Sequence, residues 1–255
     1  MNAFKADLLT AYIHESSEKM AAAAATAATA VIGDSIKTRG LARVILATAV
    51  SQVEFYESLV SCKAIDWSRI IVFHMDEFLG IPESHTASFG RFLNQYLITR
   101  IPVRDAHKIQ GDALQPIREC ARYESLLRES PIDLCCLGVG ENGHVAFNDP
   151  DVADFEEEQW VKLVKLDDRC RQQQVKDKVF NALNDVPSYA YTLTIPALMS
   201  ARQIIGVVPG SHKAEAIARM LQNPVSTTCP ASVLRQHPKA ELHLDSLAAE
   251  RLLIV

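Results

Sequence analysis

The residues around His144 form the part of this sequence best suited to proton transfer. Residues 137–150 read LGVGENGHVAFNDP, in which three glycines precede the histidine and a carboxylate, Asp149, follows it. A histidine whose second ring nitrogen is held by a carboxylate has a defined tautomer and can shuttle protons near neutral pH. We therefore predict that His144 is catalytic and that Asn142 and Asp149 orient it. The alternative is a structural histidine within a turn, which the glycine spacing and the flanking carboxylate disfavour.

A second candidate for proton transfer lies in residues 74–80, HMDEFLG, directly after the apolar run IIVF. A carboxylate at the end of a buried strand is partly desolvated, and desolvation raises its pKa toward the range that suits a general base. Asp76 is predicted to be that base. The alternative role for Asp76 is a helix cap or an ion pair with Arg69 or Arg91. Glu77 is predicted to have a supporting or structural role.

Other residues are suited to holding an anionic ligand. Gly140 and Gly143 permit positive φ and a close approach of the backbone to a ligand. Lys213 follows an apolar strand and is predicted to lie in the first turn of a helix that begins at Ser211. Free N–H groups at a helix N-terminus together with an ammonium group suit a phosphate. The alternative for Lys213 is an ordinary surface lysine.

The segment after the first predicted strand reads ATAVSQ and offers two hydroxyl groups, those of Thr48 and Ser51. Both are predicted to contact the ligand. Ser51 with Glu54 also fits the capping-box pattern of a helix start, so that helix capping remains an equal alternative for Ser51.

These residues follow strands in an alternating pattern of strands and helices. The predicted strands are residues 43–48, 70–74, 132–137, 160–166, 189–195, 204–208 and 240–244, and the predicted helices are residues 51–62, 86–98, 116–129, 167–183 and 211–221. Such alternation is typical of crossover helices on a mostly parallel sheet, and the continuous apolar strands indicate a sheet covered on both faces. Ligands of such folds bind beyond the carboxyl ends of the strands. We predict one three-layer α/β domain over residues 1–255, with about seven strands and a helical region, residues 1–40, packed on it.

The composition and charge of the sequence disfavour several classes of protein. The net charge of −5 and the absence of a Lys/Arg cluster exclude a basic stripe for nucleic acid. The apolar run at residues 20–32 is Ala-rich and too short to cross a bilayer, so no membrane association is expected. None of the six cysteines forms a C-x-x-C pair, so a zinc site is not expected. Buried free thiols suit a reducing cytoplasm, which is the predicted location.

The motifs resemble those of the glucosamine-6-phosphate deaminase/isomerase family. The resemblance is carried by GVGENGHVAFNDP at residues 138–150, by HMDEFLG at 74–80 with the H-x-x-S-F that follows it, and by G-S-x-K and L-x-x-H-P near the end. It extends from about residue 43 to residue 244. It implies a Rossmann-like fold and a mechanism with no metal and no cofactor. It also implies that His144 opens the sugar ring and that Asp76 moves the C2 proton through an enolamine-like intermediate.

The sequence departs from the family pattern where phosphate is held. Ala49 and Val50 replace two adjacent glycines, and a Cβ obstructs positive φ and close approach. Gln174 stands where the family presents an arginine, and its amide cannot supply the same bidentate cation. Gln174 is still predicted to contact the substrate, with Arg169 or Arg171 as substitute cations.

A third departure is Asp149, which is one methylene shorter than the glutamate of the family. Because the proton-transfer residues persist while the phosphate elements change, we predict a specialised subgroup whose substrate is a related amino-sugar phosphate.

The resulting prediction is conversion of an amino-sugar phosphate, glucosamine 6-phosphate or a close relative, to a ketose phosphate and ammonia. Two alternatives remain: a sugar-phosphate lactonase on the same fold, which the DEF and NGHVAFNDP motifs disfavour, and a non-catalytic sugar-phosphate-binding regulator. The predicted partner is a small sugar phosphate, and a homo-oligomer is one of the outcomes that the sequence leaves open.

Overall fold

The computed structural model describes residues 2–253, in which strands and helices alternate along most of the chain. The strands are β1 (Asn2–Ala6), β2 (Leu9–His14), β3 (Ala42–Leu46), β4 (Ile70–His74), β5 (Asp76–Phe78), β6 (Asp105–His107), β7 (Leu134–Leu137), β8 (Val161–Lys165), β9 (Tyr189–Leu193), β10 (Gln203–Val208) and β11 (Ala240–Asp245). The helices are α1 (Ser17–Arg39), α2 (Val53–Val60), α3 (Phe89–Leu93), α4 (Pro116–Arg128), α5 (Asp168–Lys176), α6 (Ile195–Met199) and α7 (Ala214–Gln222). A π-helical turn, Asn94–Ile98, extends α3.

Eight strands form one sheet in the order β1-β2-β11-β10-β7-β3-β4-β6. All neighbouring strands are parallel except β1 and β2. The predicted α/β fold with a mostly parallel sheet is therefore confirmed. The carboxyl ends of β4, β3, β7 and β10 lie side by side at one edge, because parallel neighbours run in the same direction.

The central strands are apolar on both faces, as expected for a sheet with helices on either side. Along β7, Cys135 packs into one hydrophobic cluster and Cys136 into another on the opposite face. The first cluster contains residues of α4 and α7, and the second contains residues of α1, α2 and α3. The two cysteines are free, buried thiols, in agreement with the sequence analysis.

Two predicted strands belong to a different sheet. Residues 160–166 and 189–195 contain β8 and β9, which pair antiparallel, and β9 also pairs antiparallel with the short strand β5. This three-stranded sheet, β5-β9-β8, is separate from the main sheet. Expecting these segments in the parallel sheet was wrong, because strand composition does not identify the pairing partner. The small sheet matters here because β5 begins with Asp76.

The N-terminal region is only partly helical. Helix α1 begins after Ser16, whose side chain accepts a hydrogen bond from the Lys19 N–H, and ends at Gly40, which adopts a φ of 82°. Residues 2–14, however, form the hairpin β1–β2 rather than helix, and β2 extends the main sheet by pairing with β11. Asp7 takes a φ of 51° in the tight turn of that hairpin. Over the described part of the chain, the helices are too short or too polar to cross a bilayer.

Buried His74, at the end of β4, makes folding stability dependent on pH. Its Nε2 accepts a hydrogen bond of 2.8 Å from the Ile109 N–H, so the neutral ring is the form that the fold requires. Burial and the nearby Lys108 charge lower the pKa of His74 to about 3. An unfolded histidine has a pKa of about 6.5. The unfolded chain therefore takes up a proton below that pH before the native protein does, and the native state is destabilised.

We predict that the free energy of unfolding falls by up to about 1.4 kcal/mol for each pH unit between about 6.5 and 4 through this residue. His74→Gln keeps an acceptor but does not titrate, so it should flatten this slope in urea denaturation at pH 7.5, 6 and 5. His85→Gln, a change of an exposed histidine, serves as the control. Identical slopes for His74→Gln and the wild type would contradict the assignment.

Candidate active site

The carboxyl ends of β3, β4, β7 and β10 open into one cleft of about 1150 Å³. Seven of the ten residues predicted from the sequence to form the site line this cleft: Thr48, Ser51, Asp76, Gly140, His144, Gln174 and Lys213. The other three, Asn142, Gly143 and Asp149, lie behind its wall and contact residues of the same loop or the segment that supports it. The topology therefore brings together residues up to 165 positions apart, from Thr48 to Lys213.

Asp76 is a buried carboxylate without a partner. Its residue is 8% exposed, and within residues 2–253 neither a hydrogen-bond donor nor a cation contacts its carboxylate. Arg69 pairs with Asp66 and Arg91 donates to the Ser84 carbonyl, so the alternative of an ion pair with either arginine was wrong. Burial, and secondarily the Glu77 charge, raise the pKa of Asp76 well above its usual range.

Glu77 anchors the strand that carries Asp76. Its carboxylate accepts hydrogen bonds from the Ser88 hydroxyl at 2.7 Å and from the Gly90 N–H at 2.9 Å, with further bonds from the N–H groups of Phe78 and Phe89. These donors include the first turn of α3, so Glu77 ties β5 to that helix. The structural role predicted for Glu77 is the role it has here.

His144 is held by the two residues predicted to orient it. The Nδ1 atom of His144 lies 2.9 Å from Oδ1 of Asp149, although the ring N–H is not aligned for a hydrogen bond. The Asn142 amide donates to the same Asp149 oxygen at 2.8 Å, and its Oδ1 accepts from the His144 N–H at 3.0 Å. The shorter side chain of Asp149 therefore still reaches the imidazole.

Neighbouring groups favour the ionised form of Asp149. Burial tends to raise the pKa of Asp149, but contacts with His144, Asn142 and Cys170 outweigh burial, and the pKa falls below its usual value. An ionised carboxylate beside Nδ1 favours a proton on that nitrogen and leaves Nε2 as the acceptor.

Two glycines of the loop are required by close packing. A Cβ on Gly140 would lie 2.3 Å from Cε1 and Nε2 of His144, so the ring rests directly on this residue. Gly143 has a φ of 91°, and a Cβ there would lie 2.7 Å from Sγ of Cys229. Gly140 therefore determines where the imidazole sits, whereas Gly143 joins the loop to the segment around Cys229.

The cleft also contains polar groups suited to an anion. Lys213 is 4% exposed and has no ion pair within residues 2–253; burial is the main reason that the pKa of its ammonium is lowered. In the described part of the chain, the buried Oγ1 of Thr48 has no hydrogen-bond partner. Lys213 lies in a 3-10 turn, Ser211–Lys213, and is the N-cap residue of α7, so the helix begins three residues later than predicted.

The loop after β3 takes a path that side chains allow. Ala49 is extended, with a φ of −138°, and residues Val50–Gln52 form a 3-10 turn, so neither Ala49 nor Val50 needs positive φ. Helix α2 begins at Val53 with no side-chain cap, so the capping-box alternative for Ser51 was wrong. Val50 is 60% exposed at the wall of the cleft.

On α5, Gln174 lines the cleft, and its contact with the substrate stays a prediction; neither proposed substitute arginine lines the cleft. Arg171 donates to the carbonyls of Leu183 and Val186, and Arg169 lines a separate, smaller depression. The expectation that one of these arginines replaces the family's cation was therefore wrong.

Several residues lining the cleft were missed by the sequence analysis. Lys178, with a φ of 59° just after α5, brings a further exposed cation to the wall. Asp245 ends β11 and accepts hydrogen bonds from the N–H groups of Gly210 and Ala248. Its position at a strand end was the available signal. Arg91 also lines the cleft, and no spacing rule would have identified it.

A possible ligand set for a cation is also present. His144, Asp149 and Cys170 place one nitrogen, one oxygen and one sulfur atom within 4.8 Å of one another.

The chain is similar to known sugar-phosphate enzymes over most of its length. Residues 15–244 match the family described as glucosamine-6-phosphate isomerases/6-phosphogluconolactonase. It is 36% identical over 206 residues to a glucosamine-6-phosphate deaminase of Exiguobacterium sp., covering 81% of this chain and 79% of the relative. With a glucosamine-6-phosphate deaminase of Lactobacillus delbrueckii subsp. bulgaricus it shares 33% identity over 87% of this chain and 90% of the relative.

Solved structures agree with this relationship. A structure described as a monomeric glucosamine-6-phosphate deaminase superposes with a TM-score of 0.85 at 26% identity, covering 94% of this chain and 98% of that one. A 6-phosphogluconolactonase of Thermotoga maritima superposes with a TM-score of 0.76 at 21% identity, covering 93% and 99%, and supports the fold alone. The chain therefore belongs to the glucosamine-6-phosphate isomerase/6-phosphogluconolactonase family.

Proposed function

We propose that this protein converts glucosamine 6-phosphate, or a closely related amino-sugar phosphate, to a ketose phosphate and ammonia. The observation that carries the proposal is a single cleft containing an unpartnered buried carboxylate, Asp76, and an imidazole, His144, backed by a second carboxylate. Two carboxylates in contrasting environments can act in different roles, one as a base and one as a fixed negative charge. The names of the curated relatives support the same reaction.

In the proposed mechanism, His144 first opens the sugar ring. Nε2, the nitrogen turned away from Asp149, exchanges a proton between the ring oxygen and the hydroxyl at C1. Asp149 stabilises the imidazolium that forms during the transfer, and Asn142 holds both groups in place.

Asp76 then carries out the isomerisation. Its carboxylate takes the proton from C2 of the open-chain aldose, which gives an enolamine, and returns a proton at C1, which gives an imine at C2. Water adds to that imine and ammonia leaves, so the ketose phosphate is released. A desolvated carboxylate of raised pKa is a stronger base than one in water, which suits it to a carbon acid.

The phosphate is proposed to lie near Lys213 and Thr48, with Gln174 adding an amide. A buried ammonium without an anionic partner is costly, and an anionic ligand would offset that cost. The hydroxyl of Thr48 is likewise buried, and since no group in the described ranges accepts a hydrogen bond from it, it can donate one to the phosphate.

Two further proposals concern the location of the protein and the molecules that it binds. We propose a cytoplasmic location, which the six free cysteines support because reduced thiols persist in a reducing compartment. A sugar phosphate is the proposed small-molecule partner, and the oligomeric state stays a prediction.

The first test measures ammonia release from a panel of hexosamine phosphates. Asp76→Asn and His144→Gln should each lower kcat/KM by roughly 100-fold or more, since a positioned acid or base contributes about 10²–10⁴-fold. Asp151→Asn, which changes an exposed carboxylate of the same loop, should leave the rate unchanged. Equal inactivity of all forms, or hydrolysis of a sugar-phosphate lactone instead, would refute the proposal.

The second test examines phosphate binding. Lys213→Met and Thr48→Val should raise KM, by about 10- to 100-fold for the lysine, because a hydrogen bond to a charged group contributes about 1.5–3 kcal/mol. The free energy of unfolding of Lys213→Met should not fall, because an unpaired buried charge is removed. Lys165→Met, at an exposed lysine, is the matched control. An unchanged KM for both cleft variants would place the phosphate elsewhere.

The third test is the pH profile of kcat/KM. The base must be ionised to act, and the pKa of Asp76 is raised, so activity should fall on the acidic side at a pH well above that of an ordinary aspartate. If activity persists undiminished down to about pH 4, Asp76 is not the base.

A further inference from the structure

Three side chains with good metal-binding atoms meet at the wall of the cleft, where His144 lines it. His144 and Asp149 come from the loop after β7, and Cys170 comes from the first turn of α5. Their ligand atoms all lie within 4.8 Å of one another, and Asp149 and Cys170 are almost completely buried. The absence of a C-x-x-C pair therefore does not exclude a metal site, because these ligands come from separate elements.

Two of the three candidate ligand atoms have hydrogen-bonding capacity that the described residues do not use. Nδ1 of His144 and Oδ2 of Asp149 are buried, and neither has a hydrogen-bond partner within residues 2–253. Buried polar atoms without partners are uncommon in native proteins and call for an explanation such as an ion. Their position next to a thiol indicates what kind of ion would satisfy them.

We propose that His144, Asp149 and Cys170 form an inhibitory binding site for a thiophilic divalent cation, with Zn²⁺ as the representative ion. Imidazole nitrogen, carboxylate oxygen and thiolate sulfur are the ligands that Zn²⁺ takes in proteins. On binding, the Cys170 thiol gives its proton to solvent, and the proton on Nδ1 of His144 moves through solvent to Nε2. Sulfur–metal and nitrogen–metal bonds then form, with no change of oxidation state. The thiolate, the carboxylate and the dication then sum to zero charge, which suits a buried site.

The geometry requires only small movements. Ligand atoms around one tetrahedral zinc lie roughly 3–4 Å apart, given bond lengths of about 2.0–2.3 Å. Nδ1 of His144 and Oδ1 of Asp149 are already 2.9 Å apart, and the sulfur lies within 4.8 Å of both. A depression lined by Asn142 and Cys170 reaches two of the residues at the site, so solvent can approach it.

The effect on catalysis rests on the proposed function. A cation bound to Nδ1 and Asp149 would replace the carboxylate that stabilises the imidazolium, and would oppose protonation of the same ring. Proton transfer at the sugar oxygens would stop while the cation stays bound. The cation is therefore an inhibitor, and the proposed reaction does not use it.

The binding test uses the full chain without a polyhistidine tag. Titration with Zn²⁺ by calorimetry should give one site, and Co²⁺ should produce the near-ultraviolet absorption of a thiolate–cobalt bond. Cys170→Ala, and the nearly isosteric Cys170→Ser in case alanine disturbs folding, should weaken Zn²⁺ binding at least tenfold and remove the band. Cys120→Ala, at a buried cysteine on α4, should bind as the wild type does. Binding that is absent, or that is unaffected by both Cys170 variants, would overturn the proposal.

A parallel assay separates this inference from the proposed function. Zn²⁺ should inhibit ammonia release by the wild type and by Cys120→Ala, a chelator should restore it, and the Cys170 variants should resist, each compared with its own metal-free rate. Cys170-dependent binding in a protein that releases no ammonia would uphold the site and refute the proposed function. Inhibition that the Cys170 variants retain in full would refute the site and leave the proposed function intact.

Discussion

The parallel pairing of β4, β3, β7 and β10 is the constraint on which the rest of the structure depends. Parallel neighbours end at the same edge, so the residues that follow them must lie together whatever their distance in sequence. These strands are apolar on both faces and are covered by helices on both. Cys135 packs into the hydrophobic cluster on one face, and Cys136 packs into the cluster on the other.

The cleft concentrates groups that folding alone would not favour. Among residues 2–253, no side chain pairs with the carboxylate of Asp76 or with the ammonium of Lys213, and both charges are costly when buried. The surroundings are arranged to hold them nevertheless: Glu77 fixes the strand of Asp76 through four donors, and Gly140 leaves room for the ring of His144. Functional sites typically contain reactive groups that lower the stability of the folded protein.

Much of this architecture could be predicted from the sequence, and the failures have physical reasons. The strand at Ile70–His74 was predicted with its observed bounds, because a β-branched apolar run between polar residues is a strong local signal. Pairing is not local, so the antiparallel sheet β5-β9-β8 was not separated from the parallel one. The hairpin β1–β2 was missed because its turn contains Asp7 without the Asn-Gly or Asp-Gly signal of tight hairpins.

The contact between His144 and Asp149 was predictable, because both residues belong to one motif. Residues whose position depends on how a helix is rotated, or on the path of a loop, were harder to predict. Arg169 and Arg171 are two residues apart on α5 and point to different surroundings, neither of them the cleft, whereas Gln174 one turn later lines it. Side-chain direction on a short helix depends on where the helix starts, and sequence locates helix ends only to within a few residues.

In the proposed reaction, one sugar phosphate contacts Asp76 and His144 at its reacting end and Lys213 at its phosphate. The most direct test is a crystal structure with an open-chain 2-amino-2-deoxyhexitol 6-phosphate, which cannot react. We expect C1 and C2 to lie between Asp76 and His144, and the phosphate to contact Lys213 and Thr48. A hexitol phosphate bound on another face of the protein, or bound in the cleft without touching either Asp76 or His144, would contradict it.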